Sequence, residues 1–98
     1  MQIEYTGHGI DVTDALKIYV KEKFSRLERH FDKMISAHFT FHLERLDHVA
    51  EATILANKAE IHASASSEED MYVAVDALID KLNRQIMKHK EKMSDHRE

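Results

Sequence analysis

The sequence contains no cysteine and no proline, and its only glycines are Gly7 and Gly9. Without cysteine there is no disulfide, no thiolate nucleophile and no cysteine-based zinc site. A small domain lacking such staples fits a reducing compartment. Two glycines are too few for a Gly-rich phosphate loop. No apolar run approaches the ~20 residues that span a membrane. The first residues, Met1-Gln2-Ile3-Glu4-Tyr5, show neither a basic n-region nor an apolar h-region. Secretion, membrane insertion and a membrane partner are therefore not expected, and the expected location is cytoplasmic. What is present is an ordinary globular composition, 43% hydrophobic and 33% charged over 98 residues, which suits one domain with one core.

A net charge of −4 argues against a nucleic-acid partner until its distribution is considered. Residues 17–33 hold Lys17, Lys21, Lys23, Arg26, Arg29 and Lys33 against Glu22, Glu28 and Asp32, a local +3. Residues 81–93 hold Lys81, Arg84, Lys88, Lys90 and Lys92 against Glu91, a local +4, which leaves −11 for the remainder. The chain thus carries two basic surfaces within an acidic protein.

Hydrophobic periodicity divides the chain into six elements. Residues 2–8 read as a strand, Ile3 and Tyr5 alternating with Glu4 and Thr6, and Gly7, Gly9 and Asp11 mark the turn after it. Thr13 is a suitable N-cap for a helix over 14–32, with apolar stripe Leu16, Tyr19, Val20, Phe24, Leu27 and Phe31. Residues 36–45 alternate most regularly, Ala37, Phe39, Phe41 and Leu43 against His38, Thr40, His42 and Glu44. After Leu46-Asp47-His48, a strand over 49–56 places Ala50, Ala52, Ile54 and Ala56 on one face. Asn57-Lys58 is a tight turn into Ala59, Ile61, Ala63 and Ala65. Ser67-Glu68-Glu69-Asp70 fits a capping box for a helix over 70–92, whose core stripe is Met71, Val75, Leu78, Ile79, Leu82 and Ile86.

The expected fold is α+β in the order β-α-β-β-β-α. Short loops make the last three strands an antiparallel meander, and a parallel pairing of the first two would take a right-handed crossover. Both helices must cover the Ala-rich sheet face, leaving two helices on one side of a four-stranded mixed sheet and the opposite face in water. Residues 1–92 form the expected single domain and residues 93–98 a frayed tail.

At ~100° per residue, Lys81, Arg84, Lys88 and Lys92 fall in a sector of roughly 80° beside the core stripe. They cover about 16 Å of helix, enough to meet more than one phosphate. Gln85 shares this sector, His89 lies near the core edge and Lys90 points elsewhere. The same cations would also suit a solvated helix C-terminus favoured by the macrodipole. On the first helix Arg26, Arg29 and Lys33 recur at helical spacing, and Glu22 is placed to pair with Arg26. Whether the two basic stripes converge does not follow from periodicity.

Other chemistries fit less well. His38 and His42 share a strand face but stand ~13 Å apart, and His62 across the sheet has no evident third ligand, so no metal or other cofactor is expected. Ser64, Ser66 and Ser67 near His62 match what a helix start requires, and no carboxylate pair sits in an apolar setting. No catalytic residue, enzyme activity or small-molecule substrate is expected.

The stretch from Asp70 to Lys90, running through Ala77-Leu78-Ile79-Asp80-Lys81-Leu82-Asn83-Arg84-Gln85, closely resembles the C-terminal helix of short-form bacterial ribosome hibernation promoting factors. This is the family of ribosome-associated inhibitor A and the sigma-54 modulation proteins. Glu60-Ile61-His62-Ala63-Ser64-Ala65, Thr6-Gly7 and Thr13-Asp14-Ala15-Leu16 extend the resemblance over the whole chain at matching length.

The resemblance implies a fold similar to double-stranded RNA-binding domains and binding to the 30S subunit of the 70S ribosome, in the channel between head and body. Such a protein overlaps the paths of messenger RNA and of A- and P-site transfer RNA, and inhibits translation. Short-form members act with ribosome modulation factor to pair idle 70S ribosomes into inactive 100S dimers in stationary phase. Long-form relatives carry an additional C-terminal dimerisation domain, which is not expected here. Ser94 to Glu98 is too short for the inhibitor's dimer-opposing tail. By the same resemblance, Lys81, Arg84, Lys88 and Lys92 contact 16S rRNA phosphates, with Arg26, Arg29, Lys33 and Lys23 as further contacts. Two alternatives stand beside this reading: a general double-stranded RNA-binding module, and a small protein-interaction domain that uses its acidic or histidine-bearing sheet face.

Overall fold

The computed structural model describes residues 2–29, 31, 33–57 and 59–95, with side chains to His89. The elements are β1 (Gln2–His8), α1 (Asp14–Glu28), β2 (Met34–Glu44), β3 (Asp47–Ala56), β4 (Ala59–Ser67) and α2 (Met71–Asp95). Strand order is β1-β2-β3-β4. β1 lies parallel to β2, and the two later pairings are antiparallel. This is the expected β-α-β-β-β-α arrangement with a four-stranded mixed sheet.

Alternation along the strands decides which sheet face the helices cover. Ala37, Phe39 and Phe41 of β2, Ala50, Ala52, Ile54 and Ala56 of β3, and Ile61, Ala63 and Ala65 of β4 are buried in one cluster with Leu16, Val20, Phe24 and Leu27 of α1. Met71, Ala74, Val75, Leu78, Leu82 and Ile86 of α2 complete it. Phe24 meets Phe39 edge to face at 5.3 Å between ring centroids, a pairing that favours the quadrupoles of both rings. The small alanines of β3 and β4 let α2 approach the sheet closely. Among the described residues no Lys or Arg lies in a strand, whereas Glu4, Glu44, Glu51 and Glu60 stand on the open face.

The turn after β1 depends on both glycines. A Cβ on Gly7 would collide with the carbonyl oxygen of Ile10. Gly9 has φ +76°, in the left-handed region where side chains are strained. Thr13 caps α1 as its sequence suggests, its side chain accepting from the Leu16 N–H at 3.1 Å.

Several boundaries differ from the sequence expectation. α1 ends at Glu28 instead of 32, with Arg29 as C-cap. Phe31 is still buried, but it reaches the core from a turn in which its N–H bonds to the Glu28 carbonyl. Its helical spacing from Leu27 therefore conceals the helix end. β2 and β3 extend toward each other until Glu44 faces Asp47, so the connection shrinks to Arg45-Leu46, with Arg45 at φ 57°. Leu43 is 50% exposed instead of joining the core, because β1 ends opposite His42 and leaves Leu43 past the covered part of the sheet.

The helix start also differs. Ser67 accepts from the Glu69 N–H at 3.0 Å, while Asp70 is the residue whose carboxylate accepts from the Val73 N–H at 2.9 Å. Asp70 thus caps α2, and the acidic residues before it lie outside the helix. α2 continues to Asp95, beyond the expected 92, and residues 96–98 of the expected tail lie outside the described residues. Among the described residues no helix is long and apolar enough to cross a membrane.

Candidate nucleic-acid interface

α2 lays its core stripe on β3 and β4, which turns the adjacent sector toward the outer edge of β4. Lys81 and Gln85, expected to share that sector, both reach the edge strand. The Lys81 ammonium donates to the Ser64 carbonyl at 2.8 Å, and the Gln85 amide donates to the His62 carbonyl at 3.1 Å. Two carbonyls of an edge strand are thereby satisfied by a neighbouring helix. An ammonium has three donors, so Lys81 keeps two for another partner. Arg84 and Lys88 are exposed on the same side of α2. Arg84 pairs with Asp80 one turn earlier at 2.7 Å, an exposed contact of little stabilising value. Lys88 has no ion-pair partner among the described residues. The side chain of Lys92 lies outside the described residues.

The cations of α1 are divided. Arg29 and, beyond the helix, Lys33 are exposed. Lys23 and Arg26 border a groove of about 320 Å³ between α1 and α2, facing Asp76, Asp80 and Asn83. Lys23 stands 5.2 Å from the centre of the Tyr19 ring, within cation–π range. No Glu22–Arg26 ion pair forms among the described residues, contrary to the intrahelical pairing that spacing suggested. The two basic stripes therefore do not line one uninterrupted groove. An acidic seam, Asp76 and Asp80, separates them, and Arg84 leans onto it.

Asp76 also accepts from the Tyr19 hydroxyl at 2.7 Å, and Tyr19 meets Tyr72 edge to face at 5.0 Å. The hydrogen bond to Asp76 raises the Tyr19 pKa above 10.0, with burial and the negative charges of Asp76 and Asp70 adding to it. Burial raises that of Tyr5. The i, i+4 spacing of Asp80 and Arg84 is a signal in the sequence that could have revealed one arm of the seam. The Tyr19–Asp76 bond spans 57 positions and has no local signal.

The histidines expected on the open sheet face are there, each engaged locally. His38 bonds with the Thr6 hydroxyl at 2.7 Å and stands 3.7 Å from Glu4. His42 lies 3.4 Å from Glu44 and 3.7 Å from Glu51. His62 bonds with Thr53 across the β3–β4 pair at 3.0 Å. Among the described residues no three His, Asp or Glu side chains are grouped to hold one metal ion. Ser64 presents its carbonyl to Lys81, and Ser67 caps the turn before α2. His89, expected near the core edge, meets Phe31 edge to face at 5.8 Å.

Known proteins are similar to this chain in sequence and in fold. A ribosome hibernation promoting factor of Azotobacter vinelandii is 53% identical over 92 residues, covering 94% of this chain and 85% of that one. The protein of the same name from Escherichia coli K12 is 44% identical over 96 residues, 98% of this chain and all of that one. Among solved structures, a ribosomal subunit interface protein from Coxiella burnetii superposes with a TM-score of 0.88 at 34% identity, covering 93% of this chain and 99% of that one. The N-terminal domain of Thermus thermophilus Protein Y gives 0.82 at 27% identity, covering 91% and 99%. The family model described as Sigma 54 modulation protein / S30EA ribosomal protein matches residues 3–94, and with relatives this similar over nearly the whole chain, the protein belongs to that family.

Proposed function

We propose that this chain is a cytoplasmic ribosome hibernation factor, which binds the 30S subunit in its decoding channel and blocks the messenger and transfer RNA sites. Residues 1–92 carry the ribosome-binding surface. Lys81, Arg84, Lys88 and Lys92 contact 16S rRNA phosphates, with Arg26, Arg29, Lys33 and Lys23 as a second set. Together with ribosome modulation factor, the bound protein promotes 100S dimers. The inhibition is steric, with no bond made or broken.

One observation carries this reading beyond the names of the relatives: the separation of charge across the fold. Among the described residues the exposed cations lie on the helices and the segment after α1, apart from Arg45 in the β2–β3 turn, while the strands hold Glu4, Glu44, Glu51 and Glu60 and no Lys or Arg. Phosphates attract the helical side and repel the sheet side, which orients the molecule on RNA. A row of cations without base-reading loops suits recognition of folded RNA by backbone and shape.

Cosedimentation with vacant 30S and 70S particles tests the proposal, with a free RNA duplex as competitor. The expected result is binding to the particles that excess duplex does not displace, together with inhibition of translation in vitro. Replacing Lys81, Arg84, Lys88 and Lys92 by Ala should abolish both. Equal affinity for the free duplex would instead make the chain a general double-stranded RNA-binding module.

A further inference from the structure

The two edges of the sheet are finished differently. On β4, Lys81 and Gln85 occupy the Ser64 and His62 carbonyls. On β1, whose only strand neighbour is β2, no backbone–backbone bond from outside β2 is made among the described residues. Beside that open edge lies a groove of about 340 Å³ toward α1, floored by Ile3, Tyr5 and Ile18 and bordered by Lys17 and Lys21. Ile18 is 58% exposed, although it stands next to two side chains packed on the core. Lys17 and Lys21 have no ion-pair partner among the described residues. An unpaired strand edge is a template for another strand, and this one lacks the proline or lysine that would blunt it.

We propose that the β1 edge is a docking site for an extended acidic segment of a protein partner, which adds a fifth strand to the sheet between β1 and α1. In this mode of recognition backbone bonds supply the framework and alternate side chains supply selectivity. Side chains on one face of a strand recur every ~6.8 Å, close to the ~6 Å along the helix axis between Lys17 and Lys21. An apolar side chain of the incoming strand covers Ile3, Tyr5 and Ile18, and an acidic one two positions along meets a lysine. A second copy of this chain fits less well, because Glu4 of its β1 would project to the open face and leave the lysines unmatched. RNA fits less well too, since the groove floor is apolar and the edge offers the alternating N–H and C=O of a polypeptide ladder. This site is separate from the proposed rRNA-binding residues, so the two readings stand or fall independently.

The probe is a capped heptapeptide with valine, glutamate and valine on one face and threonine on the other, titrated into the full chain and followed by backbone amide NMR. Expected are saturable shifts at Gln2–His8 and Ile18, with a dissociation constant of about 0.1 mM. The Lys17→Glu/Lys21→Glu protein should bind at least about tenfold more weakly while its spectrum elsewhere is unchanged. Ile18→Asp provides a second, single-site variant with the same expected loss. A peptide with lysine in place of glutamate should not bind. No shifts at about 1 mM peptide, equal response to the lysine peptide, shifts centred on β4, or displacement by a uridine heptanucleotide would each overturn the proposal.

Discussion

The Lys81 ammonium donates to the Ser64 carbonyl across 17 positions of sequence, joining α2 to the outer edge of β4. The first cation of the α2 stripe is therefore held by the fold, whereas Lys88, two turns on, is exposed with no hydrogen-bond or ion-pair partner among the described residues. Residues that look equivalent on a helical projection thus differ in what they do for stability.

Lys81→Met, which keeps most of the stem and removes the charge, should destabilise the protein by about 0.5–1 kcal/mol, the scale of one net hydrogen bond. For a domain of this size that is a loss of about 3–6 °C in Tm. Lys88→Met should leave Tm unchanged. Thermal melts followed by circular dichroism distinguish the two, and equal melts would mean that the Ser64 contact adds nothing to stability.

Tyr19 should titrate above 10.0, because its hydroxyl donates to Asp76 and the negative charges of Asp76 and Asp70 lie nearby. Its folded pKa is raised, so the stability it contributes is complete below pH 10.0 and is lost as pH rises through the folded value. In Asp76→Ala the Tyr19 titration, read from its ring carbon NMR shift, should move down toward the ordinary tyrosine value. The alkaline limb of the stability curve should then flatten. An unmoved titration would remove the hydrogen bond as the main cause.

Gly7→Ala should cost about 1–3 kcal/mol in urea unfolding, since the added methyl meets the backbone at Ile10 and cannot be accommodated by a rotamer change. At Gly9 nothing lies within 4 Å of an added Cβ, so the cost of Gly9→Ala is that of the left-handed backbone alone, about 1–2 kcal/mol. Asn at position 9 should recover part of it.

The sheet and its buried face could be read from the chain because strict alternation at Ala37–Phe41, Ala50–Ala56 and Ile61–Ala65 leaves one assignment of faces. Periodicity failed where the same spacing serves another geometry. Phe31 continues the α1 stripe yet enters the core from a turn, and Leu43 continues the β2 alternation past the last residue of β1. Ser67 and Asp70 both suit a cap, and the preference for Asp70 follows from where α2 begins on the sheet. For the candidate interface, helical geometry located the exposed faces of Arg84 and Lys88. It had no access to Lys81–Ser64 or Tyr19–Asp76, because contacts between distant segments leave no local pattern. The acidic seam between the basic stripes escaped notice for the same reason, as did the open groove beside β1.

Binding to vacant ribosomes as a function of salt tests the central proposal most directly, comparing the intact chain with Arg84→Gln/Lys88→Gln. Neither side chain supports the core, so both proteins should melt together. Loss of two phosphate contacts should lower the slope of log affinity against log salt by about 1.5 and weaken binding at every salt concentration. An unchanged slope with unchanged affinity would contradict the assignment of these helical cations to ribosomal RNA.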